Sequence, residues 1–95
     1  MVNIINLNKL KNILYSDEFA EIVIKQRMQC FHLNSLAMQR GEVLVEVVRL
    51  GSDIVVNLQI GDVIKRKQYG EAVPAKNIIE DVRQNFYSIF KGELK

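Results

Sequence analysis

Between residues 42 and 69 the chain changes polarity with a period of two. Glu42 to Leu50 sets Val43, Val45 and Val47 on one face and Leu44, Val48 and Leu50 on the other, with Glu46 and Arg49 interrupting. Successive side chains of a strand point to opposite faces, so this segment reads as a strand apolar on both sides. Ile54 to Ile60 sets Ile54, Val56, Leu58 and Ile60 against Asn57 and Gln59, the alternation of a half-buried strand. Gly41, Gly51, Gly61 and Gly70 separate these runs. Gly51-Ser52-Asp53 reads as a three-residue hairpin loop. Gly61-Asp62 reads as a two-residue turn with Gly at positive φ, leading into a third strand from Val63 to Tyr69. The pattern predicts three consecutive antiparallel strands in a meander.

After Gly70 the period becomes 3.6. Ile78, Ile79, Val82, Phe86, Ile89 and Phe90 fall on one stripe, and Lys76, Asn77, Glu80, Asp81, Gln84, Asn85 and Ser88 lie away from it. Pro74 suits the first helical turn and Gly92 a left-handed residue closing the end, which predicts a helix from about Pro74 to Lys91. Ordering so short a helix costs more than it gains in isolation, so it must dock on a face of the sheet.

Toward the start, Ile4, Leu7, Leu10 and Leu14 recur at helical spacing with Ile13 beside them and Asn3 or Asn6 as cap. This predicts a short amphipathic helix through about Tyr15. The next segment fits two periods. Ser16-Asp17-Glu18 looks like a helix start, whereas Ala20, Ile22, Ile24, Met28 and Cys30 alternate as a strand would. The β-branched trio Ile22-Val23-Ile24 tips the reading toward a strand over residues 20–32, a fourth member of the sheet; the alternative is a second N-terminal helix. The expected fold is α+β: a small antiparallel meander of three to four strands, an N-terminal helix, and a C-terminal amphipathic helix packed on one face. No repeat, low-complexity tract or linker divides the 95 residues, which are expected to form a single domain.

Composition narrows the chemistry. The longest apolar runs are three residues, such as Ile54-Val55-Val56, where a membrane-spanning helix needs roughly 20. Residues 1–10 carry Asn3, Asn6, Asn8 and Lys9 where a secretory signal needs an apolar core, so a cytoplasmic protein without membrane association is expected. One Cys and one His cannot supply four zinc ligands, and no glycine stands before a Lys-Ser or Lys-Thr pair as a phosphate loop requires. No cofactor and no enzymatic activity are expected. Cys30 and His32, two apart, could form a thiolate–imidazole pair, but a lone Cys is more often a small buried hydrophobe. The acids Asp17, Glu18, Glu80 and Asp81 read as helix-start charges and a solvated helix face.

Thirteen Lys and Arg stand against eleven Asp and Glu, a net charge of +2, so any site for a polyanion must be a local patch. Lys65-Arg66-Lys67 is that patch. Lys65 and Lys67 share a strand face with Tyr69, and a basic pair beside an aromatic ring can hold phosphate while the ring stacks on a base. Arg49 and Lys76 could extend such a nucleic-acid site. The plainer reading is an edge strand guarded by lysines. A hairpin-rich sheet followed by a helix with Ala75-Lys76 near its start superficially resembles the double-stranded-RNA-binding domain. That family's helix opens with several lysines and packs through small alanines, whereas Ile78, Ile79 and Val82 occupy the packing face here, so no family is assigned. The surplus of apolar faces on residues 42–50 points instead to a non-enzymatic interaction protein. It is expected to form a homodimer or bind a protein partner through Leu44, Val48 and Leu50, with nucleic-acid binding through Arg49, Lys65, Arg66, Lys67, Tyr69 and Lys76 as the alternative.

Overall fold

Asn3 opens the first element, its side-chain oxygen accepting a hydrogen bond from the Asn6 backbone N–H at 2.9 Å. The computed structural model describes residues 2–28 and 33–94. Helix α1 spans Ile4–Leu14 and buries Leu7, Leu10, Ile13 and Leu14; Ile4 and Ile5, at its exposed start, stay outside the core. Residues 17–28 are the second helix, α2 (Asp17–Met28), and not the strand expected over 20–32. The Ser16 hydroxyl accepts from the Phe19 N–H at 3.2 Å, Asp17 and Glu18 sit at the positive end of the helix dipole, and Glu21 pairs with Lys25 one turn on. Phe19, Val23 and Gln26 are buried at helical spacing, whereas Ile24 of the β-branched trio is exposed. A cap and a buried stripe outweigh the small β preference of three residues. Residues 29–32 of that expectation, Cys30 and His32 among them, lie outside the described residues.

The sheet has four strands in the order β1-β2-β3-β4, all antiparallel: β1 (Ser35–Arg40), β2 (Val43–Leu50), β3 (Asp53–Ile60) and β4 (Val63–Tyr69). Three two-residue turns join them, each with Gly first: Gly41, Gly51 and Gly61 have φ of 57°, 60° and 60°. Such left-handed residues match the twist of the flanking strands. The expected three-residue loop at Gly51-Ser52-Asp53 is therefore a two-residue turn, with Asp53 paired to Leu50 as the first residue of β3. A three-residue loop would have set Leu50 beside Ile54 and mixed the apolar face of β3 with the polar Glu46 side of β2.

Helix α3 (Ala75–Phe90) matches the predicted stripe, burying Ile78, Ile79, Val82, Phe86 and Phe90. Pro74 is its cap residue, in extended conformation (φ −64°, ψ 153°), and lies just outside the helix. Gly92 does not close the helix in a left-handed conformation; it lies in a 3-10 turn, Lys91–Glu93, after which Leu94 forms a parallel bridge with Val2.

Val43, Val45 and Val47 of β2, Ile54, Val56, Leu58 and Ile60 of β3, and the buried apolar residues of all three helices form one cluster. The helices thus form a single layer on one face of the sheet. Two arginines fasten it. Arg83 of α3 donates from Nε to the Leu14 carbonyl and from Nη2 to the Ser16 carbonyl at 3.0 Å, while the Tyr15 hydroxyl donates to the Arg83 carbonyl at 3.0 Å. Arg27 of α2 donates to the carbonyls of Ser52 (2.7 Å) and Gly70 (2.8 Å) at one end of the sheet. Gln26 is fully buried and donates to the Val47 carbonyl at 3.2 Å. No helix among the described residues is long and apolar enough to cross a membrane.

Candidate functional site

The face of the sheet turned away from the helices carries the residues singled out on β2. Leu44, Val48 and Leu50 share it by alternation with Glu46; Leu44 and Val48 are half-buried and Leu50 is 54% exposed. The register adds residues that sequence reading did not associate with them. Val48 stands between Ser35 and Val55, with Gln68 beyond Val55, and Leu44 stands between Gln39 and Gln59, with Ile64 beyond Gln59. Ile64 is 58% exposed. Hairpin geometry was the signal that could have found Val55 and Ile64, because two-residue turns fix every cross-strand partner.

Between these two rows runs a polar one, Ala37-Glu46-Asn57-Arg66. Arg66 Nε donates to Asn57 Oδ1 at 3.1 Å, Asn57 Nδ2 donates to Glu46 Oε1 at 2.9 Å, and the Ser35 hydroxyl donates to Glu46 Oε2 at 2.6 Å. The hydrogen bonds from Ser35 and Asn57, with the Arg66 charge behind them, hold the Glu46 carboxyl below the usual carboxylate range against partial burial. A strand-to-strand chain of donors and acceptors fixes these side chains in place. At one corner Gln68 Nε2 donates to Asp53 Oδ2 at 2.7 Å.

The basic segment is divided between the two faces. Lys65 and Lys67 project to the helix side, where Lys65 Nζ lies 3.3 Å from Glu93 Oε1 and Lys67 Nζ lies 3.0 Å from Asp81 Oδ2. Tyr69 is nearly buried on that side, donates its hydroxyl to Asp81 Oδ2 at 2.5 Å, and has Lys67 5.9 Å from its ring centre. Asp81 Oδ1 accepts from Asn85 Nδ2 at 2.8 Å. This cluster joins β4 to α3. Arg66 alone of the three faces the open side. Arg49 donates to Asn34 Oδ1 at 3.0 Å at the far end of β2, and Lys76 lies in the first turn of α3, beside a groove lined by Ala20, Ile24 and Ile79. The six candidate nucleic-acid contacts are therefore spread over several surfaces, and the two lysines already have carboxylate partners.

Burial, reinforced by the adjacent Asp81 carboxylate, raises the Tyr69 hydroxyl well above the ordinary phenol range, so it remains a donor at any physiological pH. Its hydrogen bond, helped by Lys67 and Asn85, holds Asp81 below the ordinary aspartate value despite partial burial. For a carboxyl depressed by folding, stability is present above the unfolded pKa and is lost as pH falls through the folded one. Asp81 and Glu46 therefore stabilise the fold fully at neutral pH. The melting temperature is expected to fall below about pH 4, and Asp81→Asn should flatten part of that fall. An Asp81→Asn melting curve that drops with acid as steeply as the parent's would remove Asp81 from the explanation.

The chain matches no protein-family model, no curated protein and no solved structure, so the reading of this surface rests on its own geometry.

Proposed function

We propose that the protein is a non-enzymatic interaction module whose open sheet face binds a second copy of the same chain. The observation that carries this reading is the layering: three helices cover one side of the sheet and leave Leu44, Val48, Leu50 and Ile64 on the other. A two-fold interface must be self-complementary, because each patch meets itself. The polar row fits that demand, with an anion on β2 and a cation on β4 on either side of Asn57. A two-fold axis running along β3 would set Glu46 of one copy over Arg66 of the other, twice, and Leu44 of each copy over the exposed Ile64 of the other, which forms the dry part.

The size of the face sets the affinity. Four strands about 4.8 Å apart and about seven residues long offer roughly 450 Å² per copy, or about 900 Å² in total, below the 1,200 to 2,000 Å² of tight interfaces. A reversible dimer with Kd of about 10 to 500 μM is expected. Sedimentation velocity from about 10 μM to 1 mM tests it, a range chosen to span that interval. Val48→Asp should weaken dimerisation at least about tenfold by setting a second, unpaired acid beside Glu46 within the contact, with the helical circular dichroism unchanged. A parent chain that stays monomeric throughout would overturn the reading. Oligonucleotide anisotropy at about 50 and 200 mM salt checks the alternative: binding that weakens with salt and vanishes when Lys65, Arg66 and Lys67 become Gln would make this a nucleic-acid protein.

A further inference from the structure

Away from the open face, a cavity of about 340 Å³ lies between α1 and the turn joining β1 to β2, lined by Lys9, Asn12, Arg40 and Gly41. Lys9 and Asn12 are nearly one turn apart on the exposed side of α1, and Arg40 is the last residue of β1, so the fold brings together two cations that are remote in the chain. The Lys9 ammonium lies over the turn, 3.5 Å from where a Cβ on Gly41 would stand. Neither cation meets a carboxylate among the described residues; Arg40 donates only to the neighbouring Gln39 carbonyl, at 3.1 Å. The nearest acid in sequence, Glu42, does not line the cavity, and its Oε2 accepts from Asn6 Nδ2 at 3.4 Å. Lys65 and Lys67, by contrast, are neutralised by Glu93 and Asp81.

We infer that this cavity is an anion site for the phosphate monoester group of a small molecule. Two uncompensated cations match a charge of about −1.5 to −2. The planar Arg40 fork can take two phosphate oxygens, Lys9 supplies a point charge, and the Asn12 amide can donate to the third oxygen or to the ester oxygen. The volume is that of a small-ligand cleft, and the aliphatic stems of Lys9 and Arg40 give it apolar walls.

The test is a titration of the 15N-labelled full chain with inorganic phosphate and with glycerol 3-phosphate, at neutral pH and constant ionic strength, followed by NMR. Saturable shifts confined to the amides of Lys9, Asn12, Arg40, Gly41 and their neighbours are expected with both probes. The double substitution Lys9→Gln, Arg40→Gln should weaken binding at least tenfold, and Lys76→Gln, which removes a cation elsewhere, should leave it unchanged. All these positions are exposed, and matching melting curves confirm that each variant is folded. Shifts that never saturate, that survive the double substitution, or that appear with inorganic phosphate but not with glycerol 3-phosphate overturn the inference.

Discussion

Arg83→Met is expected to unfold about 10 to 20 °C below the parent chain. Leu14 ends α1, where a carbonyl has no partner within the helix, and the Ser16 carbonyl in the corner before α2 has only a long bond from the Ala20 N–H at 3.4 Å. The Arg83 guanidinium donates to both, and its ring-facing carbon lies 5.4 Å from the centre of the Tyr15 ring. Hydrogen bonds to a charged donor contribute about 1.5 to 3 kcal/mol each before allowance for the partial exposure of this site. A net loss of about 2 to 3 kcal/mol corresponds to the stated shift for a domain of this size. Met retains the length and apolar packing of the stem and donates nothing, so the measurement reports the two carbonyl bonds together with the cation's contact with the Tyr15 ring. Arg83→Lys, which keeps the charge without the fork, should fall between the two. A midpoint lowered by less than about 3 °C in Arg83→Met would mean that water replaces the guanidinium without penalty.

Phe90→Ala should have the larger effect, about 3 to 5 kcal/mol, as expected for truncating a fully buried aromatic ring to a methyl. Phe90 is the last residue of α3, and its ring lies in the core shared by α1 and the sheet. Domains of this class have only about 5 to 15 kcal/mol in total, so the variant is expected to be marginally folded at 25 °C. Urea unfolding provides the measurement, with Ile89→Ala as comparison. Ile89 precedes Phe90 and is only half-buried, so its loss should be less than half as large. Equal losses at the two positions would show that helix propensity, rather than the cavity, sets the cost.

The meander and α3 were legible because each combines a clear period with glycine or proline punctuation. Helix α2 was misread because Ile22, Val23 and Ile24 suit either period, and the deciding features were the Ser16 cap and the burial of Gln26, a polar side chain that no hydrophobic count includes. Strand β1 went unseen for the converse reason. Ser35-Leu36-Ala37-Met38-Gln39-Arg40 is rich in helix formers, and it is extended because it completes hydrogen bonds along β2. The apolar side of β2 was visible as the Leu44, Val48 and Leu50 alternation. Its companions Val55 and Ile64 were not, because the loop at Gly51 was read one residue too long. Lys9 and Arg40 meet only in three dimensions, so no spacing in the chain could have joined them.

The order β1-β2-β3-β4 also decides how the chain finds its shape. Every strand pairing joins consecutive segments across a two-residue turn, so the sheet can zip with almost no loop to close. The contact between Arg83 and Leu14 spans 69 positions, and it can form only after the chain between has ordered. Sheet pairing is therefore expected in the folding nucleus and helix docking beyond the barrier. In stopped-flow experiments Arg83→Met should raise the unfolding rate and leave the refolding rate nearly unchanged. Transient opening, and the proteolysis that follows it, is then expected to begin in the helix layer that Arg83 fastens rather than in the sheet.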